Sequence, residues 1–447
     1  MQRALWLLLL VGCASNGGRV ASFEREADEI RRTLYIPGMS AAIVQNQKVV
    51  WARGFGYADV ENRVPATPDT LYHVASVTKT FGSTLLMQLV EKGQLSLEEP
   101  ISKYLPSKYD ERVQIRHLLS HTSAGTPGEQ FAYDGNRYDA ITPVIEKLYG
   151  AKFRDVLRQR ILDPLQMTES VPGHDVIDDA ALARFAKPYT LYAHGEVVPA
   201  AYPPKDIGAS AGLLSTVRDL AKFDAAIDRH VLLQPQTQEL AWAPFVSNAG
   251  QPLPYGLGWF VETYRGERLI WHTGNWGSGF SALYFKVPGR NLSLILLANS
   301  EALADGFHLP GAGEKNPFAC AFLRHVVFQG DDPCQEAAAA VTSKWLSDRN
   351  WRVRRTEIAL DAALLASYAG EYQLGERPPY TITREGTRMF IDLGTGERTE
   401  MFPFAEGEFF FKVTDTIIRF IREGDAVTQL EFDLGPNEPR IRAKKIR

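Results

Sequence analysis

The chain has 447 residues, 45% of them hydrophobic, and a formal net charge of −4. Because single hydrophobic cores stop growing at about 300 residues, we expect two or three domains. The slight negative charge is not typical of a nucleic-acid-binding protein. After the first twelve residues no apolar run is long enough to cross a bilayer.

The N-terminus has the pattern of an export signal. A short basic start is followed by the apolar stretch Ala4–Gly12, which is too short to span a membrane. The stretch ends in Leu10-Val-Gly-Cys13, which resembles a bacterial lipobox. We therefore expect residues 1–12 to be a lipoprotein signal peptide and Cys13 to carry the lipid. An ordinary signal peptide cleaved elsewhere, with Cys13 incidental, is the alternative.

Lipidation of Cys13 predicts a protein of the bacterial cell envelope, anchored to a membrane on the periplasmic side. Residues 13–24 include Gly17-Gly18 and would form a flexible tether. Aspartate after the lipidated cysteine often signals retention in the inner membrane of Gram-negative bacteria, and this chain has Ala14 there. The outer membrane is therefore the expected location.

The most informative motif is Ser76-Val-Thr-Lys79, followed by an amphipathic run predicted to be helical. Residues three apart share one face of a helix, so the Lys79 amine would lie near the Ser76 hydroxyl. A serine hydroxyl needs such a base to become a nucleophile, as in Ser–Lys acyl-transfer enzymes. The motif alone also fits the start of a surface helix, with Ser76 as its cap.

The remaining elements predict an α+β fold. Strands with a two-residue turn are expected near the start, helices and loops over 105–205, and a helix with an N-cap at Thr216. The predicted strands are 39–45, 48–54, 257–261, 281–287 and 292–298. After about residue 362, short β segments alternate with turns and indicate a small antiparallel barrel or sandwich.

This pattern divides the chain into a catalytic domain over 25–334, a helical linker over 335–361 and a small β-domain over 362–447. In an exported protein Cys320 and Cys334 can pair, although two free thiols remain an alternative. No C-x-x-C occurs, so neither zinc nor thioredoxin-like chemistry is indicated.

Two further patterns imitate functional sites. Gly208-Ala-Ser210-Ala-Gly212 matches G-x-S-x-G, but a nucleophile elbow follows a buried strand and residues 203–207 are not one. We therefore expect a tight turn. His117 and His121 are spaced to share a helix face, yet no Glu follows the first as in H-E-x-x-H. We expect packing or hydrogen-bonding roles for both, and neither a metal nor a cofactor.

Taken together, the motifs resemble the serine β-lactamase-related superfamily, which includes class C β-lactamases, DD-peptidases and β-lactamase-like esterases. The resemblance covers about residues 25–330. It rests on segments 71–79, 88–97, 115–123, 161–168, 212–220, 255–259 and 272–274. It implies a β-lactamase/transpeptidase-like antiparallel sheet flanked by helices, with an all-helical subdomain. The segment Tyr368-Ala-Gly-Glu-Tyr372 resembles the start of a lipocalin-like β-domain.

The resemblance also implies catalytic roles. Ser76 would be the nucleophile and Lys79 its partner. The second family motif, Tyr-x-Asn, matches Tyr133-Asp-Gly135. Tyr133 would be a base or a proton relay with Lys79, and Tyr138 is the alternative tyrosine.

The third motif, Lys-Thr-Gly in β-lactamases, is His272-Thr273-Gly274 here. The resemblance places its strand beside the substrate and makes His272 a catalytic residue. The backbone N–H groups of Ser76 and Asn275 would form the oxyanion hole.

Two departures from the lactamase pattern bear on the substrate. Gly135 replaces the asparagine that helps to hold the substrate amide, and His272 replaces a lysine that pairs with the substrate carboxylate. Both changes favour esters or small amides. A peptidase acting on D-amino-acid or cell-wall peptides, and a catalytically weak binding protein, are the alternatives. The sequence does not define an oligomeric state.

Overall fold

A computed structural model describes residues 2–447 except 107–108, 278, 309, 331, 350–352, 354, 376–377, 395–397, 412–415 and 436–438. For residues 2–17 and 194 it describes only the backbone. The chain divides into two compact units, one formed by residues 1–191 and 197–343, the other by residues 192–196 and 344–447.

The helices in the described part of the chain are α1 (Gln2–Thr33), α2 (Thr78–Glu91), α3 (Ile115–Leu119), α4 (Gly135–Asp139), α5 (Ile141–Tyr149), α6 (Phe153–Leu157), α7 (Asp179–Leu182), α8 (Val217–Asp228), α9 (Pro235–Trp242), α10 (Pro317–Phe322), α11 (Cys334–Arg349) and α12 (Ala362–Tyr368). Helices α2–α7 and the loops between them lie between two groups of strands in the sequence, as expected.

The strands of the larger unit are β1 (Gly38–Gln45), β2 (Lys48–Asp59), β3 (Val64–Pro65), β4 (Tyr72–His73), β5 (Val171–Pro172), β6 (Tyr189–Leu191), β7 (Val197–Pro199), β8 (Leu213–Ser215), β9 (Phe260–Tyr264), β10 (Glu267–Trp276), β11 (Phe280–Val287) and β12 (Leu292–Ala298). Those of the smaller unit are β13 (Gly370–Gln373), β14 (Tyr380–Glu385), β15 (Arg388–Asp392), β16 (Arg398–Ala405), β17 (Glu408–Phe410), β18 (Ile417–Glu423), β19 (Ala426–Asp433) and β20 (Ile441–Lys445).

The main sheet brings strands from both ends of the larger unit together. Its order among the described residues is β3-β2-β1-β12-β11-β10-β9, and its neighbouring strands are antiparallel. The tight turn between β1 and β2 uses Asn46 and Gln47, both with positive φ, as a two-residue hairpin requires. Strands β11 and β12 are buried along their whole length, which means that both faces of the sheet are covered.

Helix α8 packs on one face of this sheet. Its N-cap is Thr216, whose side chain accepts a hydrogen bond from the Asp219 N–H, as predicted. Its buried Asp224 accepts from the Tyr284 hydroxyl on β11 at 2.7 Å. The α+β prediction, an antiparallel sheet with helices, is confirmed.

The segment expected to be a flexible tether differs from the prediction. Residues 18–24 belong to α1, and the backbone of this helix begins at Gln2. Phe23 is fully buried and packs against Trp51 and Phe322, with ring centroids 5.7 and 6.1 Å away. These apolar contacts offset the entropy cost of ordering the segment. The side chain of Cys13 lies outside the described residues.

Cys320 and Cys334 form a disulfide in the larger unit. Their Cα atoms are 5.7 Å apart, and both residues are buried. The helix expected as a linker begins at Cys334 and ends at Arg349, so the division between the two units falls within it. None of the helices searched in the described residues is long and apolar enough to cross a membrane.

The smaller unit is a closed antiparallel barrel of strands β13–β20, in which β13 pairs with β20. Its interior is filled by large side chains; the Tyr368 and Phe420 rings are stacked 4.4 Å apart, and Phe409 is fully buried beside them. The predicted C-terminal barrel is thus confirmed. Phe409 contributes to its core.

Candidate active site

The N-terminus of α2 holds Ser76 in a strained turn. Residues 75–77 form one turn of 3₁₀-helix that leads into α2. Ala75 has a φ of +47°, which is uncommon for a residue with a side chain and is often found at functional sites. The Thr78 hydroxyl donates to the Ala75 carbonyl at 2.7 Å and stabilises the turn. Ser76 is half-buried at the surface of this turn.

Ser76 and Lys79 form the predicted pair. The Lys79 Nζ lies 2.9 Å from the Ser76 Oγ and donates a second hydrogen bond to the Ser210 carbonyl at 3.0 Å. Lys79 is only 1% exposed, and this burial lowers its pKa to about 7, although Asp139 and Asp134 oppose the change. A substantial fraction of the amine is therefore uncharged near neutral pH.

The G-x-S-x-G segment contributes a carbonyl to the site. The Ser210 N–H donates to Asp139 Oδ1 at 3.1 Å, and the Thr142 hydroxyl donates to the same oxygen at 3.0 Å. This fixes the Ser210 carbonyl toward Lys79. The expected tight turn is present as a bend over residues 209–211, and the part of Ser210 that faces Lys79 is its backbone.

Tyr133 lies beside the Ser76–Lys79 pair. The Lys79 Nζ is 5.1 Å from the centre of its ring, and its buried hydroxyl has no hydrogen-bond partner in the described part of the protein. Burial raises the pKa of Tyr133 well above 10, and the nearby Ser76 hydroxyl opposes this rise. The phenol therefore stays protonated at neutral pH.

Tyr138, the alternative tyrosine, has a structural contact. Its hydroxyl donates to the Lys79 carbonyl at 2.9 Å, and the residue is fully buried. It thus fixes the first turn of α2. Gly135, the third residue of the second motif, also faces the lysine, since a Cβ placed there would lie 3.7 Å from the Lys79 Nζ. The placement of that motif at Tyr133 stays a prediction.

His272, the first residue of the third motif, forms hydrogen bonds through both ring nitrogens. Its Nδ1 lies 2.6 Å from the Thr273 carbonyl and its Nε2 lies 2.9 Å from the Tyr255 hydroxyl. Because a carbonyl only accepts hydrogen bonds, Nδ1 carries the proton and Nε2 accepts from Tyr255. Burial and the nearby Lys79 charge hold the pKa of His272 well below 6.5. Both nitrogens are thus engaged and the ring is fully buried, and the catalytic role of His272 stays a prediction.

The third motif lies directly against the nucleophile segment. A Cβ on Gly274 would lie 2.2 Å from the Val74 carbonyl oxygen, so only glycine allows β10 to come this close. Asn275 follows on the same strand and pairs with Ser281 of β11. The oxyanion-hole role of the Ser76 and Asn275 N–H groups stays a prediction.

A second histidine of the site had no motif to identify it. His308 lies in the loop between β12 and α10, with its Nδ1 2.6 Å from the Thr273 Oγ1. Its ring is 4.7 Å from the Tyr133 ring and 4.8 Å from Phe260. Burial and Lys79 lower its pKa to about 4, so it is neutral at physiological pH. The surrounding loop has no periodicity or spacing that could have indicated this position.

His117, in α3, and His121, just after it, each accept a hydrogen bond from a backbone N–H group. His117 Nδ1 accepts from the Gln114 N–H and His121 Nδ1 from the Asp134 N–H, each at 3.1 Å. The described residues include no cluster of three or more potential metal ligands.

The fold and the buried Ser–Lys pair define a serine hydrolase of the DD-peptidase and β-lactamase kind. The Beta-lactamase family model matches residues 23–312. The chain belongs to this family.

Two relatives show how far the sequence similarity extends. The chain is 24% identical to penicillin-binding protein 4* of Bacillus subtilis (strain 168) over 445 residues, covering 89% of this chain and 93% of the relative. It is 28% identical to protein flp of Staphylococcus aureus (strain MW2) over 317 residues, covering 59% of this chain and 60% of the relative.

Two solved structures share the fold. The octameric penicillin-binding protein homologue from Pyrococcus abyssi matches with a TM-score of 0.60 and 22% identity, over 95% of this chain and 100% of that one. D-alanine carboxypeptidase AmpC from Burkholderia cenocepacia matches with a TM-score of 0.58 and 22% identity, over 69% and 99%.

The close approach of β10 to the Ser76 turn predicts that a larger residue at Gly274 lowers activity. Gly274→Ala should lower kcat/KM by about 10²-fold or more, because the new methyl group must push β10 away from Val74 and displacements of about 1 Å have effects of this size. Steady-state kinetics with a chromogenic ester would measure it. Gly330→Ala, where a Cβ meets no atom within 4 Å, is the matched control. Unchanged activity of folded Gly274→Ala would contradict the prediction.

Proposed function

We propose that this protein hydrolyses carboxylic esters or small amides through an acyl-enzyme formed at Ser76. The observation that carries the proposal is the 2.9 Å contact between the Ser76 hydroxyl and a buried lysine amine whose pKa is lowered to about 7. An amine in this state can accept a proton at neutral pH, which an ordinary solvated lysine cannot do.

Acylation begins with proton transfer from the Ser76 Oγ to the Lys79 Nζ. One N–H of the neutral amine is directed at the Ser210 carbonyl, which leaves the lone pair free to point at the serine hydroxyl. The serine oxygen then attacks the substrate carbonyl carbon. The Ser76 and Asn275 N–H groups stabilise the resulting oxyanion, and such donors contribute several kcal/mol at other acyl-transfer sites.

Tyr133 acts as the proton donor or relay to the leaving group. Its raised pKa means that it holds its proton in the resting site, while the lysinium formed by the first step lies 5.1 Å from its ring. A cation next to a phenol favours loss of the phenolic proton. As the alcohol or amine leaves, Tyr133 passes a proton to it and recovers one from Lys79. Water then attacks the acyl-enzyme in a second, equivalent cycle.

The choice of esters or small amides rests on the second and third motifs. His272 is neutral and engaged by Tyr255 and Thr273, so it offers no charge to a substrate carboxylate. Gly135 offers no side-chain amide. A D-alanine peptidase is the second candidate, favoured by the names of the matched carboxypeptidase and penicillin-binding proteins.

A first test combines covalent labelling with a substrate panel. A fluorophosphonate should form one adduct, on Ser76, because its half-buried hydroxyl lies 2.9 Å from the Lys79 amine, whose pKa is lowered to about 7. Peptide mass spectrometry would locate it, and Ser76→Ala should abolish labelling. An adduct on Ser210 would contradict the assignment, and absence of any adduct would favour a non-catalytic binding protein.

In the same panel, p-nitrophenyl butyrate should be hydrolysed with a kcat/KM at least about tenfold above that for a chromogenic cephalosporin or a D-Ala-D-Ala peptide. The reason is that the last two substrates carry a carboxylate, and losing a charged contact costs about 1.5–3 kcal/mol. A kcat/KM for the cephalosporin or the peptide that equals that for the ester would favour the second candidate.

A second prediction concerns pH. Because Lys79 must be neutral to act as a base, kcat/KM should rise through about pH 7 and level off above it. The Asp139 carboxylate raises the pKa of Lys79, so Asp139→Asn should move the rising limb to lower pH while the amide oxygen keeps the bond from the Ser210 N–H. Initial rates between pH 5 and 9 would measure the midpoint. Asp163→Asn, at an exposed position, is the control. If the rising limb of the pH profile has the same midpoint in Asp139→Asn as in the wild type, Lys79 is excluded as the titrating base.

A third prediction concerns location. We expect lipidation of Cys13 to anchor the enzyme in the cell envelope, most readily at an outer membrane, and the support for this is the Leu10–Cys13 sequence. Cys13→Ser should move active enzyme from the membrane fraction to the soluble fraction with unchanged kcat. Cell fractionation and mass analysis of the mature N-terminus would test it. A soluble wild-type protein whose N-terminus lies beyond Cys13 would leave only ordinary secretion.

A further inference from the structure

His121 occupies an unusual backbone position two residues after the end of α3. Its φ is +54°, in the left-handed region that residues with a side chain rarely adopt. It is only 2% exposed. Strain of this kind persists only where surrounding contacts hold it, and it is concentrated at functional sites. The catalytic steps proposed above give His121 no role.

Three contacts from His121 converge on the segment that carries Tyr133. The His121 carbonyl accepts a hydrogen bond from the Ala132 N–H at 2.8 Å. Its Nδ1 accepts from the Asp134 N–H at 3.1 Å. Its ring lies 4.1 Å from the Tyr133 ring, tilted by 33°. His121 thus contacts the tyrosine ring and the residues immediately before and after it.

The histidine ring is itself enclosed. The Tyr138 and Tyr255 rings lie 5.2 and 5.0 Å from it, and Phe131 lies 6.1 Å away. Because Nδ1 accepts a hydrogen bond, the neutral ring carries its proton on Nε2, which is buried without a partner among the described residues. A ring confined by aromatic neighbours on several sides cannot follow Tyr133 if the tyrosine moves.

We propose that His121 is the positioning residue of Tyr133: it fixes the backbone on both sides of the tyrosine and so sets the distance of its hydroxyl from Ser76 and Lys79. The inference rests on the proposed role of Tyr133 in proton transfer. His121 contacts no reacting atom, and its effect on the rate passes entirely through Tyr133. Proton transfer requires heavy atoms at hydrogen-bond distance, so a small displacement of the phenol is sufficient to slow it.

Two substitutions separate the side-chain hydrogen bond from backbone strain. Glycine and asparagine both tolerate the left-handed conformation, but only asparagine retains an acceptor near the position of Nδ1. With p-nitrophenyl butyrate as the substrate, His121→Gly should lower kcat by about 10–100-fold with KM changed less than about threefold, the size expected for a misplaced proton-transfer group. His121→Asn should recover at least about fivefold of that loss. If His121→Gly does not fold, His121→Asn carries the test alone, with kcat lowered by about 2–20-fold in the wild-type background and by less than about twofold in the Tyr133→Phe background.

The decisive measurement repeats these variants with Tyr133→Phe already present. Residues that act as one unit are non-additive, so His121→Gly should then change kcat less than about twofold. His117→Ala is the matched control, since His117 is also buried and accepts one backbone N–H but has no contact with Tyr133. It should leave kcat unchanged.

Three results would overturn the inference. Full activity of folded His121→Gly would do so, as would an undiminished effect in the Tyr133→Phe background, which would mean that His121 acts elsewhere. Wild-type activity of Tyr133→Phe alone would remove the role of Tyr133 and with it the proton step of the proposed function. The first two results leave that step intact, so the two failures are distinguishable.

Discussion

The site depends on the removal of one amine from water. A solvated lysine holds its proton at neutral pH and cannot activate a hydroxyl. In this protein Lys79 is buried under aromatic rings, and its two described polar contacts are a hydroxyl and a carbonyl, while the carboxylates of Asp134 and Asp139 limit how far its pKa falls. The low-dielectric surroundings that make the amine neutral also strengthen each hydrogen bond it forms. In the proposed mechanism, burial therefore turns Lys79 into the base that Ser76 needs.

Parts of the chain distant in sequence are needed to create these surroundings. Helix α2 supplies the lysine, the segment before α4 supplies Tyr133, and the loop before β8 supplies the Ser210 carbonyl. Strand β10 closes the remaining side at Gly274. The main sheet contributes to the site because its strand β10 lies directly against the backbone of Val74, beside Ser76.

Features that depend on residues close together in the sequence could be predicted, whereas contacts that depend on the tertiary fold could not. The spacing of Ser76 and Lys79 predicts their contact, since one helical turn determines it, and the alternating strands predict the barrel. The strand expected from Leu257 begins at Phe260 instead, because Gly258 takes a left-handed φ of +91°. His308 reaches the site only through the tertiary fold. The segment around Ser210 was correctly interpreted as a turn, yet a single sequence does not indicate which carbonyl faces a lysine 131 residues away.

The Ser210 carbonyl reaches Lys79 only in the folded chain, and the same is true of the other groups around the lysine. In an extended chain this carbonyl, the two tyrosines and the lysine are all solvated, and the lysine returns to its ordinary charged state. The serine then has no base, so the polypeptide has no hydrolytic chemistry of its own before it folds. The chemistry that Lys79 supports in the proposed mechanism is therefore available only to the folded chain. In that mechanism, a newly synthesised chain stays inert until its buried lysine has formed.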